Sequence, residues 1–120
     1  MDYKRGDIVL VNFNPQKKKD EAGKVRPAII ISDTDLNEVL DLVSVIALTT
    51  NLIDNSEPLR TRIAKREELK VDSDAMVEQL RSVSKERIYQ KVASVSDEEM
   101  VKIGYGIVSM LGLTTLQEGA

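Results

Sequence analysis

The sequence predicts a small, mainly antiparallel β domain, either a barrel or a sandwich, with one helix at its C-terminal end. About six short apolar or alternating runs, joined by short connections, occupy roughly the first 95 residues, which is typical of such folds. From Ser96 onward the hydrophobic period lengthens from two to between three and four residues, as in an amphipathic helix. The chain has 120 residues, of which 42% are hydrophobic and 31% charged, so it can bury one core of its own.

The predicted strands fall into two groups. The first three, 8–13, 28–31 and 42–48, are continuous, β-branched and apolar, and Asn14-Pro15 closes the first of them with a turn signal. The fourth, 58–64, alternates apolar and basic residues, so Arg60 and Arg62 are expected on one face. Two further strands are predicted at 75–80 and 87–92.

The predicted helix begins with a capping box, in which Ser96 is the N-cap and Glu99 lies at the third helical position. An apolar stripe follows at spacings of three or four residues: Met100, Ile103, Ile107 and Leu111. Glycines within the helix either weaken it or permit a close backbone approach, and Gly112 suits a C-cap. We therefore expect one domain over 1–113 and a flexible tail over 114–120.

The composition excludes several classes of function. The chain has no His and no Cys, so imidazole-based catalysis, thiolate nucleophiles and Cys- or His-ligated metal sites are ruled out. It has 17 Lys and Arg against 20 Asp and Glu, which argues against binding nucleic acid over the whole surface but not at a local patch. The start resembles no secretory signal and no apolar run approaches the ~18 residues of a membrane span, so a cytoplasmic location is expected.

The segment 16–27 is the first candidate site, because it places five cations and two carboxylates between two apolar strands. Pro27 favours an extended conformation at Arg26, at the start of a buried strand. A guanidinium held there suits bidentate binding of a phosphate, and an edge-strand salt bridge is an equal alternative. The other charged residues of this loop are Lys17, Lys18, Lys19, Asp20, Glu21 and Lys24.

Two further groups of polar residues have both a structural and a functional interpretation. Thr49, Thr50 and Asn51 end the third strand, where they either satisfy local backbone groups or bind a phosphate or sugar. Gln79 and Arg81 share a face of the predicted strand, where they form a polar outer surface or line a ligand site. The basic stripe from Arg60 to Lys70 is interpreted as a solvated surface offset by Glu57, Glu67 and Glu68. No acidic cluster demands a metal ion, and no phosphate-binding loop motif occurs.

Three blocks in this order resemble the MazF/PemK-type toxin endoribonucleases of bacterial toxin–antitoxin systems. They are the RGD-strand-NP block of 5–15, the G-x-x-RP-strand block of 23–32 and the EQ-x-R block of 77–83, with Leu48-Thr49-Thr50-Asn51 between the last two. The similarity extends from about Lys4 to about Leu113. It implies an SH3-like, CcdB/MazF-type antiparallel β-barrel with a C-terminal helix, working as a homodimer inhibited by a MazE-like antitoxin.

The resemblance also implies metal-independent, sequence-selective cleavage of single-stranded RNA without a cofactor. In that chemistry the ribose 2′-OH attacks its own phosphate, which leaves a 2′,3′-cyclic phosphate and a 5′-OH. Arg26 matches the family's catalytic Arg and would stabilise the phosphorane and orient or protonate the 5′-oxygen. Thr49 matches the catalytic Thr and would bind a non-bridging oxygen. RNA-binding roles follow for Lys17, Lys18, Lys19, Lys24, Thr50, Asn51, Gln79 and Arg81.

The sequence departs from some family members at the proton-transfer groups. Where those members have an Arg and an Asp two residues apart, this chain has Met76 and Glu78, and it has no loop His. Since Arg keeps its proton up to a pKa above ~12, the general base is sought among Asp20, Glu21 and Glu78.

Two alternatives share the predicted fold. A CcdB-like gyrase poison is associated with a C-terminal Trp-Gly-Ile, whereas this chain has no Trp and ends in Gly-Ala. The other alternative is a catalytically silent module that binds RNA or antitoxin, against which the presence of both Arg26 and Thr49 argues.

Overall fold

The computed structural model describes residues 2–13 and 25–113, and these form seven strands and two α-helices. The strands are β1 (Asp7–Asn12), β2 (Val25–Ile30), β3 (Leu42–Thr49), β4 (Arg60–Ile63), β5 (Ser73–Met76), β6 (Arg81–Ser84) and β7 (Ile88–Ser94). The helices are α1 (Thr34–Val39), between β2 and β3, and α2 (Asp97–Met110), after β7. The antiparallel architecture with a C-terminal helix is the predicted one, and the predicted tail at 114–120 lies outside the described residues.

The prediction of one strand over 75–80 is wrong in its second half. Strand β5 ends at Met76, and Val77–Gln79 form a single 3₁₀ turn in which the Leu80 amide donates to the Val77 carbonyl. The Val77 amide donates instead to the Leu59 carbonyl, at 3.0 Å, which draws the chain out of the β5 register. The following residues form β6 against β3, a strand that its polar sequence did not indicate.

All strand pairs are antiparallel, in the order β4-β5-β3-β2-β1-β7, with β6 pairing on β3 as well. Backbone contacts link the region after β4 to β7: the Glu68 amide donates to the Val92 carbonyl at 2.9 Å. Arg66 adds a hydrogen bond to the Ser94 carbonyl at 3.2 Å. These contacts bring the two ends of the strand order together, so the sheet is barrel-like.

Because successive side chains of a strand point to opposite faces of the sheet, the apolar side chains form two clusters. The helix-side cluster packs under α2 and comprises Ile8, Ile29, Ile31, Ile46, Leu48, Ile63, Leu69, Ala75, Val77, Val92, Ala93 and Ile103. The opposite cluster comprises Val9, Val11, Ala28, Ile30, Val43, Val45, Val83 and Ile88, with Tyr3 and Phe13 packed against it. The three predicted apolar strands contribute to both clusters, and supply most of the opposite one, because each is covered on both faces.

Helix α2 begins as the sequence predicts. The Ser96 hydroxyl accepts a hydrogen bond from the Glu99 amide, and the Glu99 carboxylate accepts one from the Ser96 amide. The same carboxylate binds both guanidinium nitrogens of Arg66, at 2.6 and 2.7 Å, which ties the helix to the β4–β5 connection. Ile103 is fully buried, and Gly112 follows the helix with a positive φ of 71°, the C-cap conformation. Within the described ranges, no helix is long and apolar enough to cross a bilayer.

The two glycines inside α2 differ in what surrounds them, and this predicts opposite effects of one substitution. A Cβ on Gly106 would collide with the Pro58 carbonyl oxygen and lie 3.2 Å from the Val77 side chain, whereas one on Gly104 would meet nothing within 4 Å. Gly106→Ala should destabilise the fold by about 1–3 kcal/mol through overpacking against backbone. Gly104→Ala should stabilise it by up to about 1 kcal/mol through helix propensity. Denaturant unfolding of both variants checks this, and equal shifts would contradict the packing of α2 on Pro58.

Candidate nucleic-acid interface

The two principal candidates, Arg26 and Thr49, lie at one end of the sheet on neighbouring strands. Strand β2 pairs with β3 in the register Ala28↔Ala47, which is the last pair of this ladder, and extending the same register by two residues would place Arg26 opposite Thr49. Residues directly opposite in an antiparallel pair share a face of the sheet. Arg26 also pairs with Val11 of β1, which belongs to the opposite cluster, so this face is the one away from α2. The fold thus brings together two residues that lie 23 positions apart in sequence.

The Arg26 backbone is fixed while its side chain is available. Its strand pairing with Val11 and the restriction imposed by Pro27 hold the residue extended, as the sequence predicts. The residue is exposed, and within residues 2–13 and 25–113 no hydrogen bond or ion pair holds the guanidinium. The edge-strand salt bridge considered from the sequence therefore has no partner in the described part of the chain, and phosphate binding by Arg26 stays a prediction.

The Thr49 hydroxyl is oriented by the turn that follows β3. Its Oγ1 accepts a hydrogen bond from the Asn51 amide at 3.1 Å. This contact uses an oxygen lone pair and leaves the hydroxyl proton able to donate to a phosphate oxygen. The structural interpretation made from the sequence is confirmed, because the hydroxyl satisfies a backbone amide, and phosphate binding by Thr49 stays a prediction. Thr50 and Asn51 are exposed next to it.

A buried carboxylate lies on the other side of Thr49. Asp74 of β5 pairs directly with Thr49 and is only 1% exposed. Its two oxygens accept hydrogen bonds from the Arg62 guanidinium, from Arg60 at 3.3 Å and from the Ile53 amide at 2.9 Å. Burial raises the pKa of Asp74, but the bonds from Arg62, Ile53 and Arg60 together outweigh it and hold that pKa below its ordinary value.

The Asp74 pairs correct the interpretation of the basic stripe as a solvated surface. Arg60 and Arg62 do share a face, as the alternation predicts, but their main partner is the buried Asp74 rather than the nearby glutamates. Arg62 also reaches Asp54 at 2.9 Å, and these bonds raise the pKa of the Arg62 guanidinium. No local pattern predicts these ion pairs, since Asp74 comes from a separate strand.

The later strand contributes Arg81 but not in the predicted arrangement. Arg81 begins β6 opposite Val45, whereas Gln79 and Glu78 lie in the preceding 3₁₀ turn, so the three do not share one strand. All three are exposed. The Arg81 guanidinium lies 5.2 Å from the centre of the Phe13 ring, and both belong to the face that carries Arg26. Sequence reasoning missed Phe13 as a member of this surface because it lies just after a strand, beside a charged loop.

Several candidate residues lie outside the described residues. They are Lys17, Lys18, Lys19, Asp20, Glu21 and Lys24, all in the segment 14–24. The described residues that flank this segment, Phe13 and Val25, lie at the same end of the sheet as Arg26. No group of three or more carboxylates within 2–13 and 25–113 is arranged to hold a metal ion.

The buried ion pairs predict how stability depends on pH. The pKa of Glu99 is lowered, chiefly by the Arg66 hydrogen bonds, and that of Asp74 is lowered as described above. Because both folded pKa values lie below the unfolded ones of about 4, the stabilisation is complete above that pH and is lost as the pH falls through the folded values. We expect the free energy of unfolding to decline below about pH 4.

Glu99→Gln should be less stable at pH 7 and should show a shallower acid decline, measured by denaturant titration at each pH. An unchanged acid slope would contradict the Arg66–Glu99 pair.

The fold and this surface define a class of protein: a small barrel-like β domain with one C-terminal helix and an Arg–Thr pair on its exposed sheet end. Residues 4–111 match the family of PemK-like, MazF-like toxins of type II toxin–antitoxin systems. An "Endoribonuclease MazF" from Staphylococcus saprophyticus is 30% identical over 115 residues, 95% of each chain. The chain therefore belongs to the PemK/MazF toxin family.

Solved structures show the same fold at lower identity. The Mycobacterium tuberculosis toxin MazF-mt6 superposes with a TM-score of 0.74 at 13% identity, covering 89% of this chain and 97% of that one. A MazE–MazF complex from Deinococcus radiodurans gives 0.72 at 18% identity, covering 92% and 96%. These matches agree with the predicted MazF-type barrel.

Proposed function

We propose that this toxin is a sequence-selective endoribonuclease that cleaves single-stranded RNA without a metal ion. The observation that carries the proposal is that Arg26 and Thr49 lie on the same face and at the same end of neighbouring strands, with the guanidinium exposed and the hydroxyl oriented. The curated relative from Staphylococcus saprophyticus bears the name of an endoribonuclease. A site that offers a cation and a hydroxyl donor suits a reaction in which the substrate supplies the nucleophile.

The chemistry follows from these two groups and from RNA itself. The ribose 2′-OH gives its proton to a base and attacks the adjacent phosphorus, the bond from phosphorus to the 5′-oxygen breaks, and that oxygen is protonated. The products are a 2′,3′-cyclic phosphate and a 5′-hydroxyl. Arg26 would bind the phosphate oxygens where negative charge develops, and Thr49 would donate to a non-bridging oxygen. DNA lacks the 2′-OH and would not be cut.

The general base is proposed among three carboxylates: Asp20, Glu21 and Glu78. Glu78 is exposed in the turn before Arg81, while Asp20 and Glu21 belong to the segment that leads into β2. The lysines of that segment would attract the RNA backbone, as would Arg81. Phe13, beneath the Arg81 guanidinium, offers an aromatic surface for an unstacked base.

The proposed partners are those that the family implies. Several of the similar structures are complexes of a toxin with its antitoxin, so we propose an antitoxin for this chain whose acidic segment covers the same cationic surface. We further propose that the toxin works as a homodimer in the cytoplasm and needs no cofactor.

Incubation with a long single-stranded RNA in excess EDTA tests the activity. We expect discrete fragments that begin at one short sequence, and no cutting of the same sequence in a duplex. Intact RNA under these conditions, at enzyme concentrations where the protein is folded, would overturn the proposal and favour a silent binding module.

A further inference from the structure

A network of hydrogen bonds holds the turn that follows β3, and this network ends at the Thr49 hydroxyl. Asp74 accepts a hydrogen bond from Arg60 at 3.3 Å, and the same Arg60 nitrogen donates to the Asn51 carbonyl at 3.0 Å. The Asn51 amide in turn donates to the Thr49 Oγ1 at 3.1 Å. An unbroken series of contacts thus joins a buried carboxylate to the reactive hydroxyl.

A second set of hydrogen bonds to Asp74 fixes the rest of this turn. Asp74 also accepts from the Ile53 amide, at 2.9 Å, and Arg62 bridges Asp74 to Asp54. The side chain of Asp74 is 1% exposed and that of Arg60 is 16% exposed, so the contact between them is shielded from water, whereas Asn51 at the other end of the network is exposed. Shielded, charge-assisted hydrogen bonds of this kind are stronger and more directional than exposed ones.

We propose that Asp74 and Arg60 are positioning residues for RNA cleavage: they hold the Thr49–Asn51 turn so that the Thr49 hydroxyl meets the phosphate beside Arg26. This inference rests on the proposed endoribonuclease function. The physical reason is that an exposed turn of polar residues has many conformations, and a hydroxyl displaced by about 1 Å costs on the order of 10²-fold in rate. Asp74 itself is buried and fully bonded, so it does not touch RNA.

The network should therefore act on the chemical step through Thr49 and on nothing else. Arg60→Ala is expected to lower kcat by about 10- to 100-fold with KM within about threefold of wild type. In a Thr49→Val background, the same substitution should cause no further loss, because the hydroxyl that it positions is already absent. Arg60→Lys should restore part of the rate, since its ammonium keeps the charge and several donors but lacks the rigid planar geometry of the guanidinium.

A double-mutant cycle of Arg60→Ala and Thr49→Val tests the proposal, with single-turnover cleavage of an RNA oligonucleotide and circular dichroism as readouts. Lys102→Ala is the matched control, because it removes one cation from the exposed surface of α2 without touching the turn. Non-additive losses in kcat, with wild-type cleavage by Lys102→Ala, support the positioning role.

Three outcomes would overturn this role while leaving the enzyme activity intact: wild-type kcat in folded Arg60→Ala, a loss confined to KM, or losses that multiply in the double variant. Failure of the wild-type protein to cut RNA at all would instead remove the proposed function on which this inference rests. If Arg60→Ala does not fold, Asp74→Asn, which keeps the shape but replaces one of the two acceptor oxygens with an amide donor, provides the same cycle.

Discussion

Arg26→Ala is expected to lower the rate of RNA cleavage by at least about 10²–10³-fold. The guanidinium lies on the same face and end of the sheet as Thr49, and removing one donor from a site that stabilises developing charge typically costs that much. Arg26→Lys should fall between wild type and Ala, because it keeps a point charge but loses the planar fork that binds two phosphate oxygens. The measurement is a single-turnover rate with an oligonucleotide that contains one cleavage site.

Stability is the control for this prediction. Arg26 is exposed and unpaired within the described residues, so both variants should unfold within about 0.5 kcal/mol of wild type. Dimerisation and antitoxin binding should be largely retained. An Arg26→Ala protein that cuts RNA at the wild-type rate would remove Arg26 from the catalytic site.

Thr49→Val should lower the cleavage rate by about 10²-fold, because it replaces the hydroxyl with a methyl group of the same shape. The substitution also removes the acceptor for the Asn51 amide, so the turn loses one hydrogen bond. Thr49→Ser keeps both the donor and the acceptor and should retain most of the activity. Equal rates for Val and Ser variants, measured with the same oligonucleotide, would show that the hydroxyl takes no part.

Most of the strand positions could be predicted because their apolar runs are covered on both faces. The exceptions are instructive. Helix α1 is only six residues long, with Asn37 rather than an apolar residue as its buried position, so it has no detectable period. Strand β6 has one buried residue, Val83, and cannot be distinguished from a loop by its pattern. The 3₁₀ turn at Val77–Gln79 depends on a backbone contact with Leu59, which no local rule anticipates.

The candidate site also has parts that could be predicted from the sequence and parts that could not. Local chemistry indicated Arg26 and Thr49 as candidates, through a cation before proline and hydroxyls at a strand end, and the family resemblance supplied their catalytic roles. Their juxtaposition depends on the β2–β3 register, which is a long-range property. The role of Asp74 could not be inferred at all, because its partners come from β4 and from the turn after β3. Buried charged groups are identified by what surrounds them, and the sequence alone does not supply those surroundings.

The chemical nature of the cut ends tests the central claim most directly. Purified protein is incubated with single-stranded RNA in excess EDTA, and the new ends are labelled with polynucleotide kinase with and without prior phosphatase treatment. If Arg26 and Thr49 assist attack by the RNA's own 2′-OH, the downstream fragment carries a 5′-hydroxyl that labels without phosphatase, and the upstream fragment carries a 2′,3′-cyclic phosphate. A 5′-phosphate with a free 3′-hydroxyl, or cutting that stops when EDTA is added, would contradict this mechanism.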